Sequence, residues 1–156
     1  MVVYLLKLNY MGDNTTLNLY FNPLFKDGAW RLERKPMIAS VAMKAGGAVY
    51  AVGDGTHTVV TNSTANFVGI LMEEITAADA DFATAARLKT VAVPLRPRAE
   101  AEFAVGAGTF TQADEGKSVK FNDYLGLAVD TAGVQARIQK YLTATRGRCI
   151  FNLDIV

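Results

Sequence analysis

The residues best suited to hold a metal ion are four carboxylates close together in the chain: Glu73, Glu74, Asp79 and Asp81. Oxygen ligands of this kind suit Ca²⁺. Their spacing matches no calcium-binding loop, however, and acidic residues are common in the loops that join strands. We therefore expect a solvated acidic face here and assign no metal ligand.

Three other sequence features have residue types that occur in catalytic sites. Glu100 and Glu102 fall on one face of a strand and are considered as a glycosidase carboxylate pair, but the sequence gives no sign of a cleft around them. His57 follows the turn Asp54-Gly55, and adjacent residues in a tight turn rarely face one another, so we expect a surface histidine at a hairpin tip. Cys149 lies on an apolar strand and is expected to be a buried structural thiol.

Composition removes further classes. One Cys and one His in 156 residues exclude a disulfide framework within the chain and a multi-histidine metal site. The glycine-rich stretches precede no long helix, so they do not form a phosphate-binding loop. The net charge is only +1, which argues against a generic polyanion binder. We expect no catalytic residue, no cofactor and no enzymatic activity, and the short apolar start at 1–8 predicts no membrane span.

The chain from residue 37 onward has the pattern of a β protein. Turn signals recur about every ten residues between short apolar or alternating runs, which is typical of a small antiparallel sandwich or barrel. This region can divide into two small lobes, 37–95 and 96–156. Thr76 to Arg87 is either one or two helical turns or an exposed Ala/Asp loop, and residues 111–116 predict one capped helical turn stopped by Gly116. The predicted strands are 37–43, 48–52, 56–61, 67–74, 88–95, 99–105, 118–121, 125–129, 135–142 and 148–155.

Residues 1–36 differ from the rest and predict an extended N-terminal arm. Neither helical nor strand periodicity holds for long, although Thr16 to Phe21 alternates over one short strand. The region holds six of the fifteen aromatic residues, which need something to bury them. The arm either packs on its own domain or lies on a neighbouring chain. For the second case we predict these partner-binding residues: Tyr4, Tyr10, Tyr20, Phe21, Phe25, Trp30, Arg31 and Arg34.

A resemblance to a known family rests on the second half of the chain. The runs AEAEF (99–103), GAG (106–108), TQADEGKSV (111–119) and LAVD (127–130) are similar to the head decoration, or cement, proteins of tailed bacteriophages. The strand that contains Val68-Gly69-Ile70-Leu71 also resembles that family. The likeness covers roughly residues 37–156, and the long N-terminal arm departs from its simplest members.

The resemblance implies a non-enzymatic structural protein on the capsid surface of a virion. Its expected partners are the major capsid protein and copies of itself, as a homotrimer, with no membrane. Two alternatives remain open. One is an OB-like module that binds single-stranded nucleic acid. Its basic patch would be Arg87, Lys89, Arg96, Arg98 and Lys117, or Arg137, Lys140, Arg146 and Arg148, and the near-zero net charge makes this alternative less favoured. The other is a tail or baseplate adaptor of a phage particle. On this view a chain lacking residues 1–30 is expected to fold but to bind less tightly.

Overall fold

The computed structural model describes residues 21–26, 28–60, 67–95, 99–130 and 136–151, and these form a mainly β structure. The predicted fold class is confirmed. The strands are β1 (Asn22–Pro23), β2 (Trp30–Met37), β3 (Ala48–Ala51), β4 (His57–Val59), β5 (Phe67–Leu71), β6 (Arg87–Pro94), β7 (Ala99–Val105), β8 (Ser118–Asp123), β9 (Gly126–Val129), β10 (Ala136–Thr143) and β11 (Arg146–Phe151). A 3-10 turn spans Gln112–Asp114, within the predicted helical turn.

Strands β2 to β6 close into a first barrel in the order β2-β4-β3-β5-β6. Its longest pairing is the antiparallel ribbon of β2 and β6, which runs from Trp30 opposite Pro94 to Met37 opposite Arg87. The barrel closes where β4 pairs in parallel with the end of β2, Met37 opposite His57. An apolar interior that includes Met37, Leu71 and Val91 fills it.

Strands β7 to β11 form a second barrel. Read in the same direction as the first, its order is β7-β9-β8-β10-β11, and it is closed by a parallel pairing of β9 with the end of β7. The short strand β1 adds to the same edge of β7 further along, with Asn22 opposite Glu102. Residues that precede the first barrel in sequence therefore extend the sheet of the second one.

The two barrels have the same strand order, the same strand directions and the same pairing register. In the first barrel Val49 pairs with Val59, and in the second Val119 pairs with Val129 at the equivalent position. Likewise, Leu71 opposite Val91 in β5 and β6 is matched by Ile138 opposite Cys149 in β10 and β11.

The turn that enters the second strand of each barrel is also repeated. Gly46 donates its N–H to Leu71 O, and Gly116 donates to Ile138 O. Both glycines have positive φ, +80° and +83°, a conformation that strains other residues. Because topology, register and turn chemistry all coincide, the chain contains two copies of one five-stranded barrel.

Aromatic side chains join the two barrels. Phe151, fully buried, has its ring centroid 4.6 Å from that of Phe67, 5.9 Å from Trp30 and 6.1 Å from Phe21. Phe67 and Trp30 come from the first barrel, and Phe21 precedes β1. The cluster continues through Phe121, whose ring lies 5.6 Å from that of Phe21.

The predicted boundary of the arm at Pro36 is wrong, because Pro36 lies within β2. The charged run from Arg31 to Lys35 reads as a linker in the sequence, but it forms a strand paired along its whole length with β6. Residues 30–36 therefore belong to the first barrel. The predicted strand at 37–43 is also wrong beyond Met37, since only an isolated bridge from Met43 to Ile75 occurs there.

Residues 76–86 form a loop of turns, so the loop alternative is the one found. Asp79 accepts hydrogen bonds from the backbone and hydroxyl of Thr76, which starts the first turn. The buried guanidinium of Arg87 donates to the carbonyl oxygens of Asp81, Phe82 and Val41 and so fastens the loop to the barrel.

Replacing Phe151 by alanine tests the aromatic junction. We expect Phe151→Ala to lower the free energy of unfolding by about 3–5 kcal/mol, because it leaves a cavity among buried rings. Phe25→Ala, at a half-exposed side chain, is the control and should change it by less than about 0.5 kcal/mol. Urea unfolding followed by Trp30 fluorescence measures both. Equal effects of the two variants would show that the junction does not hold the barrels together.

The 3-10 turn makes acid stability depend on Asp114. Hydrogen bonds from Lys117 and from Thr111 lower the pKa of the Asp114 carboxyl from 3.8 to about 2. A lowered pKa stabilises the folded state above the unfolded value, and that stabilisation is lost as the pH falls from 3.8 towards 2. We expect Asp114→Asn to be less stable than the parent at pH 7 and the difference to shrink below pH 4. An NMR titration midpoint near 3.8 for this carboxyl would contradict the prediction.

Candidate interaction surface

The structure describes five of the eight predicted partner-binding residues and separates them into two groups. Phe21 is fully buried in the aromatic junction, and Trp30 is 5% exposed with its Nε1–H donating to Glu100 O at 2.9 Å. Their assignment to a partner surface is therefore wrong. The sequence analysis took a second chain as the source of burial, but the second barrel of the same chain covers them.

Phe25, Arg31 and Arg34 are exposed and stay available to a partner. Tyr4, Tyr10 and Tyr20 lie outside the described residues. The exposed members flank or belong to β2, so the surface around the β2–β6 ribbon is the candidate interaction surface.

The outer face of this ribbon carries apolar side chains in contact with solvent. Even-numbered residues of β2 and β6 point to one side, because Leu32 stands opposite Ala92 and Pro36 opposite Leu88. At the end of the ribbon near the second barrel, Trp30 and Ala92 on this face are buried in the core that the two barrels share. Further from the second barrel the same face is open to solvent, where Leu32 is 41% and Leu88 52% exposed. We call Leu32, Arg34 and Leu88 the ribbon patch.

Arg34 lies at the centre of the ribbon patch and is held in place from the neighbouring strands. Its guanidinium donates to Glu73 Oε1 at 3.1 Å, to Thr90 Oγ1 at 3.1 Å and to the carbonyl of Leu88. Glu73 also accepts the backbone N–H of Thr90. A planar cation fixed between two leucines has the composition of a protein interaction hot spot.

The charged side chains on the other face of β2, at odd-numbered positions, form ion pairs with one another. Glu33 binds Lys35 at 2.6 Å and also the guanidinium of Arg31, and these hydrogen bonds hold the pKa of Glu33 below its usual value. The charges of β2 are thus partly compensated within the strand. Leu32 and Arg34 remain as its outward contacts.

Two further exposed apolar residues lie where the chain enters and leaves the ribbon. Leu95 follows β6, is 46% exposed and donates its N–H to Ala29 O. Phe25, 47% exposed, lies four residues before Ala29. Sequence reasoning missed Leu32, Leu88 and Leu95, because only the pairing register shows which side of β2 and β6 faces solvent.

The four carboxylates considered as metal ligands are paired with three different cations. Glu73 binds Arg34, Glu74 binds Lys44 at 2.5 Å, and Asp81 lies 3.4 Å from Lys89, which also approaches Asp79. No group of three or more potential metal ligands occurs among the described residues.

His57 and Cys149 have structural surroundings. The expectation of a surface His57 is wrong: the side chain is 8% exposed, and its Nδ1–H donates to Pro36 O at 2.9 Å where the first barrel closes. Cys149 is fully buried, as predicted, and burial raises the pKa of its thiol far above the usual value. Glu102, one of the paired glutamates, binds Arg146 at 3.2 Å and Arg148 at 3.5 Å.

A shallow depression of about 250 Å³ lies between the first barrel and the turn that contains Tyr124. Lys44 and Glu74 on its wall form an ion pair, so its two charged groups satisfy each other. Its volume is below that of most ligand sites, about 300–1,000 Å³. It offers less to a partner than the ribbon patch.

No protein-family model matches this chain, and neither does any curated protein. Within the described part of the chain, no helix has the length and apolar character needed to cross a membrane.

The burial of Phe21 and Trp30 reverses the expected result of truncation. A chain that starts at Phe21 should keep the aromatic junction and remain folded. A chain that starts at Arg31 loses both rings and β1. Since each buried aromatic stabilises by about 3–5 kcal/mol and a domain by only about 5–15 kcal/mol in total, it should unfold at 25 °C. Circular dichroism and thermal denaturation compare the two chains. A cooperative transition at the same temperature in both chains would contradict this prediction and support the interpretation of residues 1–30 as a separate arm.

Proposed function

We propose that this chain is a non-enzymatic capsid decoration protein of a tailed bacteriophage, which binds the assembled shell through the ribbon patch. The observation that carries this is the exposed pair Leu32 and Leu88 around a fixed Arg34 on the longest ribbon of the fold. The sequence resemblance supplies the capsid as the partner.

The proposed action is thermodynamic. A protein that binds only the assembled shell stabilises that state by mass action, without any chemical step. Two barrels tied by buried aromatic rings give a rigid body, which keeps the entropic cost of binding low. We include in the proposal that the chain acts as a homotrimer and that the major capsid protein supplies the surface opposite the ribbon patch.

The surroundings of several basic residues support a protein partner over a nucleic acid. Arg87 is buried against carbonyl oxygens, and Arg146 and Arg148 share Glu102. Lys117 and Lys120 bind Asp114 and Asp130 at 2.7 Å and 2.5 Å. Cations already paired with carboxylates have less to gain from phosphates.

Substitution within the ribbon patch tests this function. We expect Leu88→Ser to weaken binding to assembled shells of the parent phage by about 10- to 100-fold, the equivalent of about 1.5–3 kcal/mol for a leucine side chain buried at an interface. Val129→Ser, at an exposed residue of the second barrel, is the matched control and should bind as the parent does. Co-sedimentation with shells over a range of protein concentrations measures both.

Three outcomes would contradict the proposal. The parent chain does not sediment with shells, or Leu88→Ser and Val129→Ser bind equally well. The third is a salt-dependent shift of single-stranded DNA at concentrations where shells are not bound, which would favour the nucleic-acid alternative.

A further inference from the structure

The backbone of β2 has one edge that no described strand covers. Ala29 O accepts the N–H of Leu95, so odd-numbered residues of this ribbon face β6. The even-numbered residues therefore direct their N–H and C=O groups to the other edge. There β4 meets only the end of β2, at Met37, and Ile38 donates to His57 O. We call the segment from Leu32 to Pro36 the free edge.

The equivalent edge of the second barrel is occupied. Met37 in β2 and Val105 in β7 are the residues at which the parallel pairing closes each barrel, so they occupy equivalent positions. Counting back from them, Glu100 and Glu102 are equivalent to Leu32 and Arg34. Strand β1 covers them: Asn22 pairs with Glu102, and Leu24 donates its N–H to Glu100 O. One barrel of the repeat therefore has its edge filled by an extended segment, whereas no described strand occupies the equivalent edge of its twin.

The free edge has the properties of an acceptor for a strand. Leu32 and Arg34 present their backbone groups beside exposed side chains, and unpaired strand edges pair readily with other chains. Pro36, which lacks an N–H, and His57, which donates to Pro36 O, end the available ladder on one side. The acceptor is thus short, about four residues.

We propose that the free edge accepts an extended strand from a second copy of this chain, the alternating segment Thr16–Tyr20. That segment precedes the strand that fills the twin edge, and its Leu17 and Leu19 alternate with polar residues, as a strand over Leu32 requires. The twenty residues before Phe21 can span up to ~65 Å, enough to reach a neighbour.

The second copy is favoured over the same molecule by where the described chain begins. Phe21 donates its N–H to Gly46 O at the entry to β3. In the barrel order, β4 and β3 lie between the free edge and this anchor. A segment from an adjacent molecule can approach the edge without passing round the barrel wall.

Amide hydrogen exchange at high and low protein concentration tests the proposal. In the full chain at high concentration, exchange at Leu32 and Arg34 should slow by roughly tenfold, the effect of one added backbone hydrogen bond. Dilution should restore fast exchange, and so should removal of residues 1–20. The amide of Glu102 at the filled twin edge is the internal control and should be protected under all conditions.

Sedimentation velocity of Leu32→Pro gives a second readout, since proline removes an N–H from the free edge and none from the β6 side. We expect Leu32→Pro to lose self-association. Leu88→Ser is expected to keep slow amide exchange at Leu32 and Arg34 at high concentration. If Leu32→Pro fails to fold, the comparison of full and shortened chains decides alone. Protection of Leu32 and Arg34 that is independent of concentration would overturn the second copy as occupant, and fast exchange in every sample would overturn the site. Neither result depends on capsid binding, so the proposed function can fail or hold separately.

Discussion

The contact on which the rest of the molecule depends is the packing of Phe151 against Phe67, Trp30 and Phe21. Each small barrel alone has little interior to bury, and small domains are marginally stable for that reason. The rings give the two barrels one shared core. Because that core fixes the start of β2 through Trp30, it also fixes the orientation of the ribbon and of the patch on it.

The repeated barrels differ in side-chain chemistry at equivalent positions. At equivalent places, the first barrel has Lys35 opposite Lys89 and the second has Phe103 opposite Gly147. A Cβ on Gly147 would lie 2.7 Å from the Phe103 ring, so the glycine makes room for it. In the first barrel Lys89 extends instead to Asp79 and Asp81. At this pair of positions an aromatic ring in the second barrel thus replaces an ion-paired lysine of the first.

The two barrels also use their edges and outer faces differently. The second barrel uses its edge and its core for contacts within the chain, including β1 and the aromatic junction. The β2–β6 ribbon of the first barrel has an exposed apolar face, a fixed arginine and a backbone edge that no described strand covers. The proposed attachment through the ribbon patch depends on this partly apolar surface, where an arginine is fixed beside exposed leucines.

The sequence alone determined the β class, most strands from β3 onward, the capped turn before Gly116 and the burial of Cys149, because alternation, glycine turns and caps are local signals. Strand β2 was not recognised in the sequence, since four of its eight residues are charged and one is proline. Three of those charged residues pair with one another along the strand. The fate of Phe21 and Trp30, the duplication of the barrel and the exposure of Leu32 and Leu88 were decided only by the tertiary structure. Each depends on which strands lie side by side and in what register, and residues far apart in the chain set that register through packing.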